Sequence, residues 1–272
     1  MSYEQIIGDI NRKIFYPIYF LTGEEPHFID KISKLIETTV LSEDEKEFNQ
    51  IIVYGRDILP NQIIQMAREY PVFGNYRVII VREAQDIKQI EKDKLLLAYL
   101  EKPVPTTLLV FDYKYKKVDG RTSFVQLLKK NGVFFESKKL YDNQVPKWIE
   151  GTIRGMGYQI NPEAMMLLSE NLGTDLSKIE NELKKLVINI DKNTEITPDI
   201  VEKNIGISKD FNIFELQKAL GERNIYKANQ IINFFASNPK DNSVVFVIVM
   251  LFNYFKRLLI YHTLKDLSLI HI

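Results

Sequence analysis

No cysteine occurs among the 272 residues, which removes disulfides, thiolate metal ligation and thiol catalysis together. Net charge is lacking too: 36 Lys and Arg balance 36 Asp and Glu. The chain therefore has no whole-molecule field to draw in nucleic acid or an anionic membrane, and any such contact must come from a local patch or a partner. Histidine is scarce, and His27, His262 and His271 stand far apart without close ligand spacing, so neither metal nor cofactor is expected. The longest uninterrupted apolar run, Val244 to Phe252, falls short of the roughly 20 residues that a membrane span requires. Met1-Ser2-Tyr3-Glu4 opens with neither a basic nor an apolar leader region. These absences point to a soluble, cytoplasmic protein with no membrane contact.

What is present in the first half is alternation. Tyr16 to Leu21 reads as a strand, and Pro26 can take the first helical position of a segment in which Phe28, Ile32, Leu35, Ile36 and Val40 share one face. Further strand-like runs follow at Phe48–Val53, Arg77–Val81, Thr107–Phe111 and Val133–Glu136. Helical segments lie between them around Asn61–Glu69, Lys92–Glu101 and Thr122–Asn131. Repeated βα alternation predicts a mostly parallel sheet with helices on its faces. The turn Thr22-Gly23-Glu24-Glu25-Pro26 sits where such a domain would wrap a glycine-rich loop around phosphate. It has one Gly, no Gly-Lys-Ser/Thr, and two carboxylates that repel a triphosphate while suiting the dipole of the following helix.

From Tyr141 the strand signal stops. Asn143–Met156, Pro162–Asn171 and Asp175–Ile190 read as helices, the last with Leu176, Ile179, Leu183, Leu186, Val187 and Ile190 on one stripe. Gly173-Thr174 offers a stop for one helix and a cap for the next. Glu180 and Lys184 read as a solvent-facing pair, and Trp148 as a packing residue. Thr197-Pro198 opens a short helix, Ile205-Gly206-Ile207-Ser208 reads as a linker, and Asn212–Leu267 as a further helical block. The expected division is 1–140, 141–207 and 208–272.

Four stretches together resemble one family. They are Leu21-Thr22-Gly23-Glu24-Glu25-Pro26-His27-Phe28-Ile29-Asp30; Pro71-Val72-Phe73-Gly74 with Arg77–Val81; Leu109-Val110-Phe111 with Lys117, Asp119 and Arg121; and Gly173-Thr174-Asp175-Leu176 with Glu180–Leu183. Their order and spacing are similar to the delta subunit of the bacterial DNA polymerase III clamp loader. The resemblance implies an AAA+-like α/β domain, then a small helical lid domain and an all-α collar domain. It implies partners as well: the sliding clamp (beta subunit), the gamma/tau ATPase and delta-prime subunits, and primed DNA met weakly or indirectly. Because such chains usually continue through more collar helices, a shortened collar is expected after Leu267–Ile272.

The resemblance also sharpens the question of catalysis. In ATP-hydrolysing relatives the third strand ends in Asp-Glu; here it ends in Arg82-Glu83, and a cation cannot ligate Mg²⁺. The Ser-Arg-Cys finger motif of neighbouring loader subunits is impossible without Cys. Gly23, Glu24, Glu25 and Arg82 are thus expected to form a degenerate nucleotide site, with no catalytic residue. The resemblance assigns clamp binding to Val72 and Phe73, presented at a short helix end between Pro71 and Gly74. Pro71 holds Tyr70 extended and Gly74 lets the chain turn away. Arg68 stands where many clamp-binding peptides carry Gln. Lys114, Lys116, Lys117 and Arg121 are candidates for touching DNA phosphates, with a solvated loop as the plainer reading. Two other functions compete: a divergent P-loop NTPase using Lys31 or Lys34, and a helical adaptor unrelated to replication.

Overall fold

A computed structural model describes residues 1–206, 211–238 and 243–268. The chain divides into two units, Met1–Leu140 and Tyr141–Ile272.

In the first unit, strands β1 (Ile18–Gly23), β2 (Gln50–Tyr54), β3 (Arg77–Arg82), β4 (Thr107–Lys114) and β5 (Val133–Ser137) form an all-parallel sheet in the order β2-β3-β4-β1-β5. The central strands are covered on both faces, which explains why β1, β3 and β4 read as unbroken apolar runs rather than alternating ones. One face carries α1 (Tyr3–Asn11) and α2 (Pro26–Thr39), whose Ile6, Ile10, Ile29, Ile32 and Ile36 pack on Tyr19, Leu21, Ile80 and Val110. After α3 (Glu43–Asn49) come α4 (Pro60–Arg68), α5 (Lys94–Glu101) and α6 (Ser123–Asn131). These last three cover the opposite face, closing Ile63, Ala67, Leu100, Phe124 and Leu128 over Phe20, Ile79, Leu109 and Phe111. The expected α/β architecture with helices on both faces is the one observed.

Two short helices escaped the sequence reading. Helices α1 and α3 each open with a capping box, Ser2 with Gln5 and Ser42 with Glu45, in which side chain and backbone cap each other reciprocally. The apolar stripe of α2 is also shifted: Ile29 is fully buried where Phe28 was expected, and Phe28 sits half-buried beside it.

The second unit begins with α7 (Val145–Gly155), α8 (Pro162–Leu172), α9 (Leu176–Ile188) and α10 (Pro198–Ile205). Strand structure does not end at Tyr141: β6 (Gln159–Ile160) pairs in parallel with β7 (Glu195–Ile196), a bridge too short to leave a periodic signal. Asp175 rather than Thr174 caps α9, its side chain accepting the Lys178 N–H at 3.0 Å. Leu176, Ile179, Leu183 and Leu186 are fully buried, as their spacing predicts. The Glu180–Lys184 pair forms at 3.1 Å, but Glu180 is buried against the bundle, so only its lysine faces solvent. Trp148 is half-buried on α7.

Helices α11 (Ile213–Gly221), α12 (Ile225–Ser237) and α13 (Val244–Ser268) enclose a small core of Ile213, Leu216, Ala228, Ile231 and Phe235, against which Val247, Met250 and Leu251 of α13 pack. The expected boundary at 207/208 and the residues beyond Ser268, His271 included, lie outside the described residues. Helix α13 exposes Val245, Ile248, Phe252, Phe255 and Leu259. Asn253, Lys256 and Arg257 interrupt the apolar run without interrupting the helix. By length and composition, Val244–Leu264 with mean hydropathy 1.8 is long and apolar enough to cross a membrane, which a count of uninterrupted residues missed.

Candidate functional site

In open parallel sheets, ligands bind beyond the carboxyl ends of the strands. In the first unit that rim is formed by Gly23, Arg82, Lys114 and Ser137, the last residues of β1, β3, β4 and β5. Gly23 has φ +122°, and a Cβ there would collide with the Ser137 carbonyl oxygen. Its glycine character thus serves the close approach of β5: Glu24 N–H donates to the Ser137 carbonyl, and Glu25 N–H to the Ser137 hydroxyl, both at 3.2 Å. Glu25 is the N-cap of α2 and is buried; its carboxylate accepts the His27 N–H at 3.2 Å. The helix N-terminus that would attract a phosphate already holds an anion supplied by the chain itself.

The cations of this rim are occupied in the same way. Arg82 donates to Glu37 at 2.6 Å, and Glu37 also receives Lys34 at 2.6 Å. Burial pushes the Glu37 carboxyl up, but Lys34 and Arg82 together outweigh it and leave the group below its ordinary range. Lys114 lies between Asp30 at 2.7 Å and Glu83 at 3.2 Å. Burial alone would lower its pKa, and the two carboxylates raise it instead. Lys117 pairs with Glu24 at 3.1 Å, Lys116 donates to the Gln85 carbonyl at 3.2 Å, and Arg121 forks onto Asp119 at 3.1 and 3.0 Å. All four cations considered for DNA contact therefore have partners within the unit.

Two groups at this rim are incompletely satisfied: Arg82, whose buried Nε has no hydrogen-bond partner, and Asp112. Asp112 of β4 is buried; Ser33 of α2 donates to its Oδ2 at 2.9 Å, while its Oδ1 has no hydrogen-bond partner. Burial pushes its carboxyl up to about 7, against the opposing pull of Ser33 and Lys114. Among the described residues, no group of three or more His, Cys, Asp or Glu is placed to hold a metal ion.

The amino ends of the strands carry the other candidate. Helix α4 ends at Arg68, and residues 69–76 lead into β3 through a turn; Val72 and Phe73 thus lie in that turn and not on a helix end. Val72 is 67% exposed and Phe73 42% exposed, so neither covers the sheet. Gly74 has φ +81°, a left-handed conformation that disfavours any side chain, and a Cβ there would meet the Glu45 carboxylate of α3. Tyr70 and Arg68 are exposed beside it.

Sequence reasoning missed what holds this turn. Asn49, the last residue of α3, is fully buried and grips the turn twice: its Oδ1 accepts the Val72 N–H at 2.8 Å and its Nδ2 donates to the Phe73 carbonyl at 2.6 Å. Phe48 is exposed with its ring 5.3 Å from that of Phe73, centroid to centroid. The signal available was the capping box Ser42-Glu43-Asp44-Glu45, which announces α3 and so places Phe48 and Asn49 at its end.

The family description "DNA polymerase III, delta subunit" matches residues 19–138, nearly all of the unit that holds both rims. The likeness to the DNA polymerase III delta-subunit family thus lies in the α/β unit. Across the longer chain, the DNA polymerase III subunit delta of Bacillus subtilis (strain 168) is 26% identical over 251 residues, covering 90% of this chain and 72% of that one. The solved Bacillus subtilis DNA clamp loader delta protein (YqeN) has the same fold, with a TM-score of 0.68 at 24% identity, over 87% of this chain and 72% of its own. The matched residues include the carboxyl rim of the sheet and the turn that exposes Val72 and Phe73.

Proposed function

We propose that this chain is the non-catalytic subunit that binds and helps open the sliding clamp for a replicative clamp loader. The observation that carries the reading is the exposed Val72-Phe73 pair, held on a fixed turn of a delta-like α/β unit. Seated in an apolar pocket of the clamp, two such side chains contribute about 3–5 kcal/mol before ordering costs, an anchor for a larger contact. The bound state then favours an opened or strained ring. Nucleotide turnover by gamma/tau subunits, with delta-prime alongside, governs when the surface is offered. The location is cytoplasmic, and primed DNA is met chiefly through the assembly, since Lys114, Lys116, Lys117 and Arg121 are engaged internally. An AAA+-like domain over 1–140, a lid over 141–207 and a collar over 208–272 belong to the same proposal.

The divergent NTPase is less well supported. Lys34 is spent on Glu37, and Glu25 occupies the helix terminus where phosphate would sit. Titration of the chain against its cognate sliding clamp is the test. Replacing Val72 and Phe73 together by Ala should weaken binding about 100-fold or more, with the unfolding free energy changed by less than about 1 kcal/mol because both side chains are exposed. Unchanged clamp affinity in the double variant overturns the proposal.

A further inference from the structure

Asn49 is an Asn whose amide is directed at one short stretch of backbone. The two groups that it engages, the Val72 N–H and the Phe73 carbonyl, belong to the exposed apolar pair itself. The side chain thereby supplies the turn with the donor and acceptor that a neighbouring strand would otherwise provide. Around it, Glu45 lies against Gly74 and the Phe48 ring lies against Phe73. One helix, α3, thus contacts Val72, Phe73 and Gly74 in succession. A turn ordered before it meets a partner spends none of the binding energy on ordering; a loose turn does.

We propose that Asn49 is the positioning residue of the clamp contact: it holds residues 71–74 in the docking conformation before the clamp arrives, with Phe48 bracing the Phe73 ring. This rests on the clamp-binding reading above. Residue type matters at this place. Asp keeps the acceptor for Val72 but sets a carboxylate oxygen against the Phe73 carbonyl, and Ala supplies neither group.

The test uses the full chain, with clamp titration and backbone amide exchange measured on each variant. In Asn49→Ala, the Val72 amide of the free protein should exchange faster while β3 and β4 stay protected, and clamp affinity should fall about tenfold or more. Asn49→Asp should lose affinity as well; being isosteric, it carries the test if Asn49→Ala does not fold. A purely structural Asn49 would lower the melting temperature, leaving the affinity of the folded protein within about twofold of the parent. That result overturns the proposal, as does unaltered exchange at Val72. If the Val72/Phe73 double variant loses the clamp and Asn49→Ala does not, only the positioning role falls; if the double variant also binds at parental strength, the clamp reading falls and takes this role with it.

Discussion

At the carboxyl rim of the sheet Glu25, Arg82 and Lys114 each meet a partner from the same unit, whereas at the amino rim Val72 and Phe73 face solvent from a turn that the unit has fixed in place. Both rims hold a positive-φ glycine and a buried polar side chain, so the ingredients are alike. Their use differs. At the carboxyl rim the charged side chains are spent on one another. At the amino rim a polar group is spent on backbone so that apolar side chains can remain outside. A parallel sheet offers its carboxyl ends for ligands by default; here the candidate binding surface has the opposite address.

The two glycines test this contrast most severely. Gly23→Ala forces a Cβ into the Ser137 backbone at a φ that L-residues avoid, and backbone has no easy way to yield. A loss of about 3–5 kcal/mol is expected from chemical denaturation. A loss below about 1 kcal/mol would show that β1 and β5 are not locked together as described.

Asp112 comes next. Its folded pKa of about 7 lies above the ordinary 3.8, so the folded state holds this proton over a range in which the unfolded chain has released it. Its contribution to stability is fullest below about pH 4 and is lost as pH rises toward about 7. Asp112→Asn should flatten that slope and leave the protein on the order of 2 kcal/mol more stable than the parent at pH 8. Unfolding free energies of both proteins measured between pH 4 and 8 decide it, and parallel profiles would contradict the burial argument.

Gly74→Ala is expected to have the smallest effect, about 1–2 kcal/mol, because the left-handed φ is penalised but the obstructing Glu45 carboxylate can swing away. The ratio of the two glycine effects is itself informative. Equal losses would mean that the amino rim is as rigidly packed as the carboxyl rim.

Much of this arrangement could be read from residues alone. Unbroken apolar runs such as Arg77–Val81 and Thr107–Phe111 identify doubly covered parallel strands. Exposure of Val72 and Phe73 could not be read, since Pro-Val-Phe-Gly suits a buried turn equally well. Which acid meets which base was also hidden: Arg82 with Glu37 and Lys114 with Asp30 join residues far apart in sequence, and only the crossover of α2 brings them together. Asn49 was hidden for a related reason. Its role depends on a turn more than twenty residues downstream, and a lone Asn has many local uses. On α13, counting an unbroken run understated an apolar helix, because charges spaced along a helix do not end it.

The meeting of Gly23 with Ser137 bears on what this chain could become. To hold a phosphate, the turn after β1 would have to move away from the end of β5, give up the Glu25 cap and acquire a lysine beside the carboxylates that Arg82 and Lys114 already pair with. A phosphate loop here would therefore take several coupled changes, because one substitution leaves the turn tied to the end of β5.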